Sequence, residues 1–368
     1  MRGDISCANS VLIQVSKHPC DRLVGSAHSI LRHPSMPAGC FLLMWESLRR
    51  GEPFGGYLQN RAFGDAGYWT FTIMLPLGSS GHLSIQMNPN GSEYLDLARA
   101  AYLAVRPIEL AAREQGISGR GAAKLGRRQL LRQLRQAGFA DYQDFLSAAV
   151  TAEVTGRSHF TATPTFAGTA GATTALSDAC AALSSQFDGS WDRLSEFETS
   201  IAAFRQEVRQ FDQHRTDSRR VLHQQRMAAA TRVRHPDVIL ATAWAEMTSE
   251  DAGDVAVRLA ARLDRLDVSV TKARVAMALA LIQLDAVAEH AAEVAGRSAA
   301  QCRSTTALGA LVRSLRSTAG WAMGPSNDAL VEAQRIMETV AAARRDMEVP
   351  RTLLDDRAAG PSGNRSRE

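Results

Sequence analysis

Histidines and cysteines are the residues of this sequence that could most readily bind a metal or form a disulfide. The five cysteines are an odd number, lie far apart and form no Cys-x-x-Cys pair, so neither a disulfide framework nor a zinc site is predicted. No pair of histidines has a spacing supported by carboxylates or cysteines. We therefore expect solvated or capping side chains at His18, His28, His159, His214, His223, His235 and His290.

Motifs that hold nucleotides or phosphate are missing from the sequence. It contains no His-Glu phosphoacceptor box, no Gly-rich nucleotide lid and no Gly-Gly-Asp/Glu-Glu-Phe cyclase motif. After residue 175 nothing matches the Glu- and Ala-rich hairpin through which chemoreceptors contact a kinase complex. The sequence thus predicts a protein that is not an enzyme and whose output is a change in helix packing.

Composition and charge narrow the possible partners. The formal net charge is +4, and the basic residues are spread along helical stretches, so we expect no nucleic-acid binding. The most apolar run, residues 276–282, is far shorter than the roughly 20 residues that cross a bilayer. These features, with the scattered cysteines, predict a soluble cytoplasmic protein without membrane insertion.

The first 90 residues differ in composition from the rest and predict an α+β domain. They are rich in Gly, Pro, aromatic and β-branched residues, with extended runs predicted at 4–8, 56–60, 68–76 and 81–87. In the longest of these, apolar residues nearly alternate with threonine, and a Gly-Ser-Ser-Gly turn leads into the next run. A strand, then helices, then three antiparallel strands is the order found in PAS domains.

Several strings in this region identify the family more specifically. They are Gly3-Asp4-Ile5-Ser6-Cys7-Ala8-Asn9, Leu23-Val24-Gly25, the run from His28 to Pro37, the run from Met44 to Gly56, Gln59-Asn60-Arg61 and Tyr68-Trp69. Through these strings, residues 2–88 resemble the PAS domain of aerotaxis receptors, which bind FAD.

The resemblance implies an FAD site. Carried over residue by residue, it implies that Asn9 on the first strand, Arg32 and His33 in an irregular segment, and Trp45 on the following helix contact the flavin. Trp45 would supply a stacking ring, and Arg32 would supply donors for phosphates or ring carbonyls. The family has Asp where this chain has Ser35, which predicts that one polar contact is lost or shortened.

Each of these residues also has an ordinary structural interpretation. Trp45 could be a core ring, Arg32 could pair with a surface carboxylate, His33 could only set a turn, and Asn9 could be a turn-former. Related domains also begin with a strand of about ten residues before the strand at Gly3. The strand could lie upstream of Met1, another segment could fill its place, or the domain could be unstable; we favour a start upstream of Met1.

The remainder of the chain predicts helices. They include one that begins after a turn at Ser92 and runs past Pro107 to Glu114, an interruption over 116–126, and two helices at 308–322 and 328–347. We divide the sequence into a PAS sensor domain at residues 1–90, a helical extension at 91–154, a flexible Thr/Gly/Ala-rich linker at 155–178, a helical bundle or coiled coil at 179–348 and a disordered tail at 349–368. Apolar residues between 187 and 211 recur in steps of three and four, which is the spacing of a stripe that faces a partner helix.

Two classes of function follow from this organisation. The first is a sensor of redox, oxygen or energy state that binds FAD and relays its state through C-terminal helices, in a homodimer, to an unknown downstream protein. The second is a cofactor-free PAS module that dimerises and scaffolds a partner. A chemotaxis-type transducer is a third alternative.

Overall fold

The chain consists of a small sheet with helices followed by long helices. The structure, a computed structural model, describes residues 3–78, 81–155, 172–232, 236–295 and 303–358. It divides into two compact units, one made of residues 1–191 and 272–322 and the other of residues 192–271 and 323–368. The predicted fold class, an α+β domain followed by a mainly helical region, is confirmed.

The first unit opens with short helices. They are α1 (Ser10–Ser16), α2 (Cys20–Leu23) and a 3₁₀ helix (His28–Leu31). The expected first strand is reduced to a short pairing: Asp4 forms an isolated antiparallel bridge with Ala27, and Ile5 N–H donates to the Ser26 carbonyl at 2.8 Å. The prediction that Asn9 lies on a strand is wrong, because Asn9 is the N-cap of α1.

Helix α3 (Ala38–Arg49) precedes a three-stranded antiparallel sheet. The strands β1 (Phe54–Arg61), β2 (Gly67–Pro76) and β3 (His82–Met87) follow the sheet order β1-β2-β3. Their bounds lie within two residues of the predicted ones. In the register, Gly56 pairs with Thr72, which pairs in turn with Gln86.

The register gives the sheet two different faces, because side chains alternate along each strand. One, which we call the polar face, carries Asn60, Tyr68, Thr70, Thr72, His82 and Gln86 together with the buried apolar side chains of Phe54, Leu58 and Met74. The other, the apolar face, carries Tyr57, Trp69, Phe71, Ile73, Leu83 and Ile85. Phe71 and Ile73 are fully buried, so the apolar face belongs to the core of the first unit.

Three helices of the extension pack around α3 and the sheet. They are α4 (Ser92–Glu114), α5 (Gly119–Gln136) and α6 (Tyr142–Thr155). The predicted bounds of α4 are confirmed, with Pro107 inside the helix. By contrast, the interruption predicted over residues 116–126 ends at Gly119, where Ser118 caps α5 by accepting from Gly121 N–H.

Tyrosine hydroxyls close the outer edge of β1. The Tyr142 hydroxyl accepts from Gly55 N–H at 2.9 Å and donates to the Gly55 carbonyl at 2.8 Å. The Tyr102 hydroxyl donates to the Tyr57 carbonyl at 2.9 Å. Backbone groups that a further strand would pair are therefore satisfied by side chains of the extension.

The long helices are α7 (Ala172–Arg232), α8 (Pro236–Ala295) and α9 (Arg303–Ala358). In the first unit, their residues Phe187, Leu279 and Ile282 join the same apolar cluster as Ile73 and Ile85. In the second unit, α7, α8 and α9 pack through Ile201, Val208, Leu259, Leu263, Leu266, Val270 and Ile336. The predicted apolar stripe of α7 thus contributes to a helical core.

The helical region differs from the prediction at three places. Residues 172–178, predicted as linker, form the start of α7, where Ala172, Ala175 and Leu176 favour helix, whereas residues 156–171 lie outside the described residues. One helix replaces the two predicted around Pro325, and it extends to Ala358 within the predicted tail. Of the helices that the structure describes, none combines the length and apolar content needed to span a membrane.

Candidate functional site

Arg32 lies between the 3₁₀ helix and α3. Its Nη2 donates to the Met36 carbonyl at 2.6 Å, and its guanidinium lies 4.3 Å from the centroid of the Phe41 ring. Its backbone bridges to Asn60 on β1. Burial lowers the pKa of Arg32, and the nearby Cys40 and Glu109 oppose that shift. Arg32 is therefore a cation held against an aromatic ring beside the sheet.

Trp45 continues the same row of rings, because Phe41 and Trp45 are one helical turn apart on α3. His28 meets Phe41 edge to face at 6.4 Å, and His82 of the polar face meets Trp45 edge to face at 5.5 Å. A Cβ at Gly3 would lie 2.7 Å from Trp45 Cη2, so only glycine allows this approach. Arg32 and Trp45 thus border one aromatic row.

His33 belongs to a different cluster. Its Nδ1 lies 2.6 Å from Ser35 Oγ, which donates to Gln59 Oε1 at 2.7 Å. Gln59 projects from β1 on the side opposite to Asn60, because alternate residues of a strand point to opposite faces. Arg32 and His33 are neighbours in an extended stretch, so their side chains also point in opposite directions. Ser35, which stands where the family has Asp, hydrogen-bonds to the Gln59 side chain of β1.

The Asn9 side chain caps the N-terminus of helix α1. Its Oδ1 accepts from Leu12 N–H at 2.9 Å, which satisfies one of the free donors at the start of α1. Of the four residues predicted to bind flavin, the structure therefore joins Arg32 and Trp45 through the aromatic row. It gives His33 and Asn9 local hydrogen-bond partners elsewhere.

A buried hydrogen-bond network on the polar face was missed in the sequence. Asn60 Nδ2 donates to Thr70 Oγ1 at 3.1 Å and to Gln86 Oε1 at 3.0 Å, and Thr70 and Thr72 share a hydrogen bond of 2.9 Å. Asn60 and Thr72 are 6% and 0% exposed. The alternation of threonine with apolar residues in β2 was the signal, since it places polar groups on one buried face.

The Tyr68 hydroxyl, on the residue paired with Asn60, is a buried polar atom without a partner. Both ring nitrogens of His18, which meets Phe63 of the β1–β2 hairpin edge to face at 5.6 Å, are also buried without a partner. Burial raises the pKa of Tyr68 to about 12, so its hydroxyl keeps its proton. Such atoms are uncommon in proteins and indicate a place for water or a ligand.

A small cavity lies beside the outer edge of β1, and no side chain of this network lines it. It measures about 20 Å³, which is room for about one water molecule. Cys40, Gly55, Tyr102 and Tyr142 are among its lining residues, and none of the four predicted flavin residues lines it. Burial raises the pKa of Cys40 to about 11, so the thiol beside this cavity is a poor nucleophile.

The groups around the polar face are of the chemical kinds that contact a flat heteroaromatic ligand. A flavin ring has carbonyl oxygens and ring nitrogens that accept hydrogen bonds at one edge and also an N–H that donates. The amides of Asn60 and Gln86 and the Tyr68 hydroxyl offer both kinds of partner, and Trp45 and Phe41 offer aromatic surface. Within the described residues, His, Cys, Asp and Glu form no group of three that could hold a metal ion.

Comparison with known proteins supports the N-terminal resemblance. No family model matches the chain. Over 88 residues the chain is 36% identical to the aerotaxis receptor of Escherichia coli (strain K12). The N-terminal region resembles the aerotaxis receptor. The predicted similarity is thereby confirmed for this region, which is 24% of the chain and covers 17% of the length of that curated relative.

Among solved structures, the chain is similar to the blue-light activated histidine kinase of Erythrobacter litoralis EL346. The two are 16% identical, and the similarity covers 40% of this chain and 53% of the kinase. Its TM-score of 0.20 is too low to carry an argument about fold or function. The aerotaxis-receptor similarity is therefore the comparison on which a functional proposal can rest.

Proposed function

We propose that residues 1–90 form a PAS-type sensory domain that binds FAD at the polar face, and that the protein is a signal-transduction protein without catalytic activity of its own. The observation that carries this proposal is the buried, unpartnered Tyr68 hydroxyl beside the Asn60, Thr70 and Gln86 network. The similarity to an aerotaxis receptor supports the choice of a sensory role.

Different residues would contact different parts of the flavin. Asn60, Gln86 and Tyr68 would hydrogen-bond the ring edge, Trp45 would contact the ring, and Arg32 would contact a carbonyl or phosphate oxygen. A bound flavin supplies a ring whose charge and hydrogen bonding change on reduction. Because Asn60 bonds to two neighbours at once, a change at the ring edge would reach β2 and β3 together.

An absorption spectrum with added FAD tests this proposal. Purified full-length protein should retain FAD after gel filtration and show flavin absorption, and Trp45→Ala should weaken FAD binding by about tenfold or more. Trp69→Ala is the matched control, because Trp69 lies on the apolar face and stacks on Tyr102. Folded wild-type protein that stays colourless with excess FAD would refute the flavin proposal.

One observation favours the second candidate, a cofactor-free PAS interaction module. Arg32 is already bonded to Met36, and His33, Ser35 and Gln59 form a network of their own, so these residues have partners without a ligand. A colourless protein that still self-associates would support this candidate. Co-purification with a chemotaxis coupling protein would support a transducer instead.

Self-association is part of the proposal, and α9 offers a face for it in the second unit. Met323, Leu330 and Met337 recur every seventh residue and are 66%, 69% and 65% exposed. The uncharged Asn327 and Gln334 lie along the same stripe. A seven-residue apolar repeat is typical of a helix that pairs with another. Met323 and Met337 are each seven residues from Leu330. A two-fold axis through Leu330 would therefore place Met323 of one copy opposite Met337 of a second copy.

A further inference from the structure

Glu109 of α4 is a buried carboxylate that contacts the start of α3. It is 1% exposed, and its two oxygens accept from the backbone N–H groups of Gly39 and Ala38, each at 2.7 Å. Arg106 Nη1 lies 3.3 Å from Glu109 Oε2 and forms an ion pair with the carboxylate. A charge this deeply buried requires such partners, and a negative charge is favourable at a helix N-terminus. The carboxylate therefore fixes α4 to the first turn of α3.

The first turn of α3 is also connected to Arg32. Arg32 donates to the carbonyl of Met36, which lies two residues before Ala38, and the Glu109 carboxylate is close enough to oppose the lowering of the Arg32 pKa. A short series of contacts thus runs from the Arg32 guanidinium through residues 36–39 to the Glu109 carboxylate. It leads out of the candidate ligand site into the helical extension.

The packing at this point leaves little room for independent movement. A Cβ on Gly39 would clash with the backbone of Gly126 and Arg127 on α5, and a Cβ on Gly126 would clash with the Glu109 carboxylate. The helices α3, α4 and α5 therefore meet at two glycines with Glu109 between them. Close-packed contacts of this kind transmit a displacement instead of absorbing it.

We propose that Glu109 is a positioning residue that couples the hydrogen bonding of Arg32 to helix α4. When Arg32 leaves the Met36 carbonyl for a ligand oxygen, the first turn of α3 loses a restraint, and the bonds from Ala38 and Gly39 to Glu109 carry that change into α4. The role in ligand sensing rests on the proposed function, whereas the coupling itself can be measured without a ligand.

Glu153 provides a matched control within the same unit. It is also fully buried, and it accepts from the N–H groups of Asn90 and Gly91 at 2.8 and 2.9 Å and from the Tyr57 hydroxyl at 2.8 Å. It therefore secures the start of α4 with the same chemistry but without contacting α3. Removing its charge should destabilise the unit without interrupting the route from Arg32.

A double-mutant cycle followed by amide hydrogen exchange in the full chain tests the proposal. Arg32→Ala should raise the opening equilibrium constant of the α4 amides at residues 108–113 by about fivefold. In the Glu109→Gln background, Arg32→Ala should change it by less than about twofold. In the Glu153→Gln background, the fivefold effect should persist.

Two results would overturn the coupling: no effect of Arg32→Ala on α4, or the same factor in the Glu109→Gln and wild-type backgrounds. If Glu109→Gln does not fold, Glu109→Asp gives the same cycle, because it keeps the charge but withdraws the carboxylate from α3. A separate titration with FAD tests the ligand. A chain that binds no FAD but shows the non-additivity would refute the flavin proposal alone.

Discussion

Replacing Tyr142 by phenylalanine removes one oxygen atom and leaves two backbone groups of β1 without a partner. The hydroxyl bonds both the N–H and the carbonyl of Gly55, and Tyr142 is 7% exposed, so water has little access to either group. The ring stacks on Phe54 at a centroid distance of 5.5 Å, and phenylalanine retains that contact. The substitution therefore isolates the effect of the hydroxyl.

The expected loss follows from the number of groups left unpaired. Each buried backbone group without a partner costs about 1 to 3 kcal/mol. Because a small cavity beside Gly55 can admit one water that re-pairs part of the loss, we expect about 2 to 4 kcal/mol of local opening free energy. The lower figure corresponds to about a 30-fold increase in the opening equilibrium constant.

Hydrogen exchange of the peptide that contains Gly55, in the full chain, measures this effect. Tyr102→Phe should show a smaller loss of about 1 to 2 kcal/mol, because its hydroxyl bonds one backbone carbonyl and the Cys40 thiol. Tyr94→Phe, whose ring contacts Phe139 and Phe145, is the control for removing a tyrosine hydroxyl. If Tyr142→Phe matched Tyr94→Phe to within about 0.5 kcal/mol, the account of the β1 edge would be wrong.

Three further predictions concern other parts of the chain. Burial lowers the pKa of His28 in the folded state, so the unfolded state takes up the proton first, and stability should fall as the pH drops below about 6.5; His28→Asn should flatten a urea-midpoint profile between pH 7 and 5. Gly39→Ala should cost about 3 kcal/mol or more in urea unfolding, because its methyl group would meet the backbone of α5. Leu330→Glu should shift the proposed homodimer to monomer in light scattering, whereas the similarly exposed Leu103→Glu should not.

Local sequence patterns predicted many of the strands and helices. The strands were predictable because threonine and apolar residues alternate in β2 and turn residues separate the strands. The bounds of α4 were predictable because Ser92 follows a turn and apolar residues then recur with helical spacing. Pro325 was misleading, because a proline usually ends a helix and here the flanking residues keep helical geometry on both sides.

The site was predictable only in part, since its residues come from distant positions. Trp45 and Arg32 were proposed as site residues because the family strings contain them, but the opposite directions of Arg32 and His33 depend on how one extended segment lies on β1. Tyr142 and Gly55 are 87 residues apart, and Glu109 and Gly39 are 70 apart. A local sequence pattern cannot predict that a side chain hydrogen-bonds a backbone group so distant in the sequence.

The hydroxyl groups along β1 also have a mechanical consequence. A neighbouring strand would hold this edge through a ladder in which a slip of one residue reverses every side chain. Tyr102 of α4 and Tyr142 of α6 instead hold it at two separate points. A shift of either helix would therefore reach the outermost strand through a single hydroxyl group, while the pairing of that strand with β2 keeps its register.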